Sequence, residues 1–208
     1  MNTIDHLLYG VPSLESGMDE IETLVGVRPV YGGKHKKWGT HNAVISLGPD
    51  VYLEIIAADP DAERPQEGVL FDLDSLESSK LITWVQRTDD VYGTSEAASK
   101  VGIQLGAVSE GQRITKDGSV LSWTLSDPAA LPYDGAIPFL IDWGKTPHPA
   151  TSAPPGCALT QLHIHHSDSQ RVKDGLNILG INILVSPSEE YRLEATIKTK
   201  SGNLAILS

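Results

Sequence analysis

Three short apolar runs carry the pattern that decides the fold: TIDHLLYGV (3–11), KLITWVQRT (80–88) and LTQLHIHHS (159–167). Each reads as a strand and leads into a helix-like segment: SLESGMDEIETLV (13–25), DDVYGTSEAASKV (89–101) and DSQRVKDGLNIL (168–179). Each helix then stops at glycine plus a β-branched residue: Gly26-Val27, Gly102-Ile103 and Gly180-Ile181. The period is regular, with 76 residues from Gly26 to Gly102 and 78 from Gly102 to Gly180. A fixed period of this kind marks an internal repeat even where identity between copies is low. Aligning the strands puts His6, Trp84 and His163 in one column.

Leu14, Met18, Ile21, Leu24 and Val25 recur at helical spacing, with Ser13 as N-cap and Gly26 as the left-handed stop. Val172, Leu176 and Leu179 make a shorter stripe, and Ala97, Ala98 and Val101 a weaker one. Hairpins follow each helix. THNAVISLG (40–48) and VYLEIIAA (51–58) flank Pro49-Asp50. QRITK (112–116) and SVLSWTL (119–125) flank Asp117-Gly118, a strong two-residue hairpin signal, and IPFLIDWG (137–144) reads as the next strand. EYRLEATIKT (190–199) turns at Ser201-Gly202-Asn203 into LAIL (204–207).

Each full unit therefore reads β-α-β-β-β. A right-handed crossover makes its first and post-helix strands parallel, and the first strand is expected beside the last strand of the meander. The expected class is α+β, with repeated β-α-β-β-β units paired into a cupped mixed sheet, plus a partial third unit. Unit one spans 1–58, a connection 59–79, unit two 80–144, a second connection 145–156 and the third unit 157–208. Only 28 residues follow Gly180, so the third unit is shortened.

Sixteen Lys and Arg against 27 Asp and Glu leave a net charge of −11, which repels phosphate backbones and anionic lipid. Nucleic acid and membrane surfaces are therefore not expected partners; a small molecule is, with a homodimer left open. No apolar run reaches the roughly 18 residues of a membrane span. The N-terminus MNTIDHLLYG lacks a basic start and an apolar stretch, so no secretory signal is read and a cytoplasmic location is expected. The lone Cys157 allows no intrachain disulfide or thiolate cluster. The chain contains no G-x-S-x-G elbow, phosphate-cradling glycine loop, C-x-x-C pair or H-E-x-x-H helix.

The segments Ile4-Asp5-His6, Trp38-Gly39-Thr40-His41-Asn42-Ala43, Tyr52-Leu53-Glu54 and Pro138-Phe139-Leu140-Ile141-Asp142-Trp143, with His148-Pro149 after them, carry a further signal. Together with the repeat they resemble the vicinal oxygen chelate superfamily, the glyoxalase/bleomycin-resistance/extradiol-dioxygenase group. More narrowly, the chain resembles bacterial glyoxalase-like domain proteins. The resemblance covers the whole chain. It implies a cleft between paired units that holds one divalent metal, with ligands on the first and last strands of each unit. Carried over, His6, Glu54 and Asp142 are the metal candidates, Glu54 and His41 the catalytic ones, and Trp38, Asn42, Trp84 and Trp143 the substrate-binding ones. Trp84 departs from the pattern, because it stands where a metal member has a ligand. The metal would be Fe, Mn, Ni or Zn, and the site is expected to be weak.

Glu54 lies in an otherwise apolar strand, and a buried carboxylate needs a cation or donors. If Gly48 pairs with Val51, Glu54 faces Ile45, and His41 shares its face four residues along, roughly 13 Å away. A one-residue slip turns His41 to the opposite face. His148 reads as a loop residue within reach of the cleft rim. His163, His165 and His166 lack a matching carboxylate and read as structural or interfacial. The expected function is a glyoxalase-like small-molecule enzyme, with a metal-dependent lyase, isomerase or dioxygenase all open. The metal would stabilise an enolate or oxyanion on a substrate with neighbouring oxygens. The alternative is a metal-free binding protein of the same fold.

Overall fold

The structure, a computed structural model, describes residues 3–114 and 120–208. Alternation and helical stripes produce the elements in the expected order. Unit one holds β1 (Thr3–Gly10), α1 (Leu14–Val25), β2 (Val30–His35), β3 (Thr40–Gly48) and β4 (Val51–Ala58). Unit two holds β5 (Lys80–Arg87), α2 (Val91–Ser99), β6 (Ser109–Ile114), β7 (Val120–Leu125) and β8 (Phe139–Asp142). β9 (Ala158–His166), α3 (Ser169–Ile178), β10 (Leu184–Pro187), β11 (Arg192–Lys198) and β12 (Leu204–Leu207) follow. The Asp117-Gly118 turn lies outside the described residues, while the strands it would join are paired, with Ile114 opposite Val120. Among the described residues no helix is long and apolar enough to cross a membrane.

One eight-stranded sheet runs β2-β3-β4-β1-β5-β8-β7-β6. Its two halves are topological copies. β1 lies parallel to β4, and β5 parallel to β8, with an antiparallel meander outside each. The halves join through the antiparallel β1–β5 pair. The sheet curls enough to bring its two edge strands, β2 and β6, within 8 Å of each other between Cα atoms. The fold is therefore the cupped α+β sheet that the repeat implies.

The third segment departs from the other two. Its sheet is separate, ordered β10-β9-β11-β12, with β10 directly beside β9 and β11 on the other edge. In the large sheet β5 occupies the far edge of β1, so all later strands of unit one stack on the near side. β9 has no such partner, and both of its edges accept a strand.

The convex face of the large sheet, the small sheet and the helices share one core. Leu7, Ile45, Leu53 and Leu140 come from the large sheet, Ile164 and Leu193 from the small one, and Ile21 and Leu176 from the helices. Trp84 belongs to this core. It is fully buried, and its indole Nε1 donates to the Ala136 carbonyl at 3.1 Å. The concave face holds a smaller cluster that includes Leu8, Val85, Phe139 and Ile141.

Two β-bulges set which side chains reach the concave face. In the β1–β5 pair Ile4 faces Gln86 and His6 faces Val85, which leaves Asp5 as an extra residue. In the β3–β4 pair Gly48 faces Val51 but Ser46 faces Tyr52, which leaves Leu47 extra. Each bulge shifts the pairing that follows by one residue, in the β1–β5 pair as far as Leu8 opposite Thr83. Replacing Trp84 with Ala should remove a large core side chain and its hydrogen bond. Urea unfolding is expected to show a loss of about 3–5 kcal/mol.

Candidate functional site

The concave face forms a cavity that is partly open to solvent. Unit one supplies its polar side, with His6 from β1, Asn42 from β3, and Tyr52 and Glu54 from β4. Unit two supplies an apolar side, with Trp123, Leu125, Phe139, Ile141 and Trp143. His35, Trp38 and Leu70 complete the wall.

The polar side is one connected chain. Asp5 is fully buried, His6 is 3% exposed and Glu54 7%. Asp5 Oδ1 lies 2.7 Å from His6 Nδ1, and His6 Nε2 lies 3.3 Å from Glu54 Oε2. Asn42 Nδ2 donates to Glu54 Oε1 at 2.7 Å. The His6 ring stacks on Tyr52 with centroids 4.4 Å apart. Asp5 Oδ2 accepts from Trp143 Nε1 at 3.0 Å and also lies 3.0 Å from His148 Nε2. The backbone N–H of Ala150 donates to His148 Nδ1, so the proton of a neutral His148 sits on Nε2 and points at Asp5.

Burial alone would raise the pKa of Asp5. Its hydrogen bonds with His148 and His6, and their charge when protonated, outweigh that and hold it at about 2. An ionised Asp5 in turn draws the His6 proton onto Nδ1. The opposite nitrogen, Nε2, is then left facing Glu54. A carboxylate that fixes an imidazole in this way determines which nitrogen is available for chemistry.

The Leu47 bulge makes Val44, not Ile45, the partner of Glu54. Asn42 therefore lies on the Glu54 face and His41 on the other. His41 sits beside Tyr31, with ring centroids 6.4 Å apart, and burial lowers its pKa. Asp142 is likewise turned from the cavity, because Ile141 before it faces in; its Oδ1 accepts from the Gly144 N–H at 2.7 Å. Trp84 lies in the convex core, since it alternates with Val85. His41, Asp142 and Trp84 are thus not brought to the pair formed by His6 and Glu54, whereas Trp38, Asn42 and Trp143 do line the cavity. Sequence reasoning missed Asp5, Tyr52, Trp123 and Phe139 and left His148 in a loop. Two adjacent polar residues, Asp5-His6, inside an apolar strand were a signal for the bulge.

The glyoxalase-like domain family model matches residues 4–179. The chain belongs to the glyoxalase-like domain family. No curated protein matches it. Among solved structures, a hypothetical protein from Staphylococcus aureus is similar over 99% of this chain and 85% of its own, at 16% identity and a TM-score of 0.61. That likeness shows the fold. More distant is the methylmalonyl-CoA epimerase from Mycobacterium tuberculosis, at 13% identity over 69% of this chain and 88% of its own, with a TM-score of 0.45. A Streptomyces coelicolor methylmalonyl-CoA epimerase variant, in complex with 2-nitronate-propionyl-CoA, gives 16% identity over 67% and 95%, with a TM-score of 0.45.

In this glyoxalase-like chain, one half of the cleft fits a metal. The 3.3 Å between His6 Nε2 and Glu54 Oε2 is near the about 3.4 Å that separates two ligands on a tetrahedral ion with bonds of roughly 2.1 Å. The other half does not fit. Tyr52 pairs with His6 as Phe139 pairs with Val85, so Val85 and Ile141 are the unit-two counterparts of His6 and Glu54. Both present only carbon. Among the described residues no third His, Cys, Asp or Glu ligand atom joins the pair within 4.8 Å. Among the described residues the donor set at this pair stops at two.

The buried carboxylate gives this site a pH signature. A folded-state pKa of about 2, below the ordinary 3.8, means Asp5 stabilises the fold above pH 4 and loses that contribution as pH falls toward 2. The difference is worth about 2 kcal/mol. Asp5→Asn should lower stability at pH 7 by roughly this amount or more, and flatten the acid limb of a plot of stability against pH between 4 and 2. Chemical denaturation at a series of pH values measures both effects.

Proposed function

We propose that this protein is a small-molecule enzyme that moves a proton on a substrate held in the concave cavity. Glu54 is the general base, and His6 is its proton partner. The single supporting observation is the chain Asp5–His6–Glu54–Asn42, which ends in a cavity with one polar and one apolar side. With Asp5 ionised and one proton on His6 Nδ1, a second proton on His6 Nε2 would face Glu54 Oε2 across 3.3 Å. With that proton on Nε2, Glu54 is a free carboxylate whose Oε1 is steadied by Asn42. Glu54 then takes a proton from a substrate carbon next to a carbonyl, and the electron pair moves to the carbonyl oxygen. The Nε2–H of His6 donates to the oxygen as it becomes negative. Asp5 stabilises the imidazolium without itself taking a proton, and is a positioning residue. The aromatic side, with Trp123, Trp143 and Phe139, seats the apolar part of the substrate and excludes water.

A second reading, a binding protein of the same fold, is favoured by Val85 and Ile141, which put carbon where unit one has His6 and Glu54. One experiment separates the two readings. Ligands are drawn from 2-oxo acids and 1,2-diketones that carry an aromatic or branched apolar group, and binding is followed by tryptophan fluorescence. Exchange of the carbon-bound proton in D₂O is followed by NMR. Wild type is expected to bind at least one compound and exchange its proton. Glu54→Gln is expected to keep binding and lose exchange by about 10²–10⁴-fold. Binding without exchange in wild type would make the protein a binder.

A further inference from the structure

The small sheet carries a second cluster on the face turned away from the core. Leu162 and Ile164 of β9, and Leu193 and Ala195 of β11, point into the core, so His163, His165 and Glu194 point outward. The register sets Glu194 opposite His163, and Arg192 opposite His165. A ligand atom from each of His163, His165 and Glu194 lies within 4.8 Å of the other two. All three side chains are half-buried.

Two further observations point to a ligand. The imidazoles of His163 and His165 are 3.9 Å apart between centroids, with a tilt of 35°. His165 Nε2 is buried with no hydrogen-bond partner, which ordinarily costs about 1–3 kcal/mol. By contrast, His163 Nε2 is steadied by Ser186 Oγ at 2.9 Å, as a positioned ligand would be.

We propose that His163, His165 and Glu194 form a binding site for one divalent transition cation of the zinc, nickel or cobalt type, separate from the cavity. Two imidazoles favour these ions over magnesium or calcium, which prefer all-oxygen shells. Three protein ligands leave an open position for water or an outside ligand. Arg192 Nη1 donates to Glu194 Oε2 at 2.7 Å, which orients the carboxylate and leaves Oε1 for the ion. The ion would clasp β9 to β11, and so tie the smaller sheet together across its middle pair of strands.

The test uses full-length protein without a histidine tag, titrated with Co²⁺ and followed by visible absorption, then with Zn²⁺ by calorimetry. Wild type is expected to bind one ion per chain at this site, and His6→Gln to leave it unchanged. His163→Gln, His165→Gln and Glu194→Gln should each weaken it by more than about tenfold, the least that losing even an outer partner of a metal ligand costs. Circular dichroism checks that each variant is folded, and any one folded variant of the three is sufficient. Binding that survives in every folded variant, or that disappears in His6→Gln, would overturn the assignment. So would the absence of stoichiometric binding in wild type.

Discussion

The buried carboxylate of Asp5 is the group on which the rest of the site depends. It sits on the first strand of unit one, yet two of its three partners, Trp143 and His148, come from the end of unit two and the segment after it. An unpaired charge there would cost several kcal/mol. The two halves of the sheet are therefore held in one relative position by an electrostatic requirement as well as by apolar packing. The same carboxylate selects the nitrogen that His6 presents to Glu54. Assembly of the cup and preparation of its polar side are thus one event. The Trp143 indole takes part in both, because its N–H binds Asp5 and its ring lines the cavity.

Much of the architecture was legible in the sequence, because hydrophobic periodicity and glycine stops are local signals. The β-α-β-β-β units, the hairpins and the mixed sheet follow from them, and the family match agrees. The positions of individual side chains were less legible, since two single-residue bulges decide them. Leu47 announces no irregular pairing by composition, and Asp5 does so only through the polar pair it forms with His6. Counting from the Pro49-Asp50 turn puts His41 on the same face as Glu54, and the Leu47 bulge puts Asn42 on that face instead. Likewise, the repeat spacing aligns His6 with Trp84, whereas strand pairing aligns it with Val85. His163 and His165 lacked a carboxylate in the sequence reading because Glu194, the residue that meets them, comes from a pairing some thirty residues away. His148 was legible as a residue but not as a partner, since its contact with Asp5 spans most of the chain.

The two units have diverged in kind. Unit one retains acid–base groups in its cleft-facing positions, while unit two has Val85, Phe139 and Ile141 in the matching places. A symmetric scaffold thereby yields an asymmetric cavity, with a polar wall and an apolar wall. A substrate that enters it meets hydrogen-bonding groups from one side only, which restricts how it can be turned.

The bulge at Leu47 also acts as a phase setting for the strand. β3 carries a histidine and an asparagine in succession, and the extra residue decides which of them looks into the cup. Deleting one residue between Asn42 and Ser46, with the bulge kept, would move His41 to the place opposite Ile56 that Asn42 now holds, without altering either side chain. In this strand a single-codon deletion would thereby exchange an amide for an imidazole beside Glu54. Length variation at a hairpin is then a route to new chemistry as direct as substitution, and an alignment that ignores the bulge would compare the wrong residues.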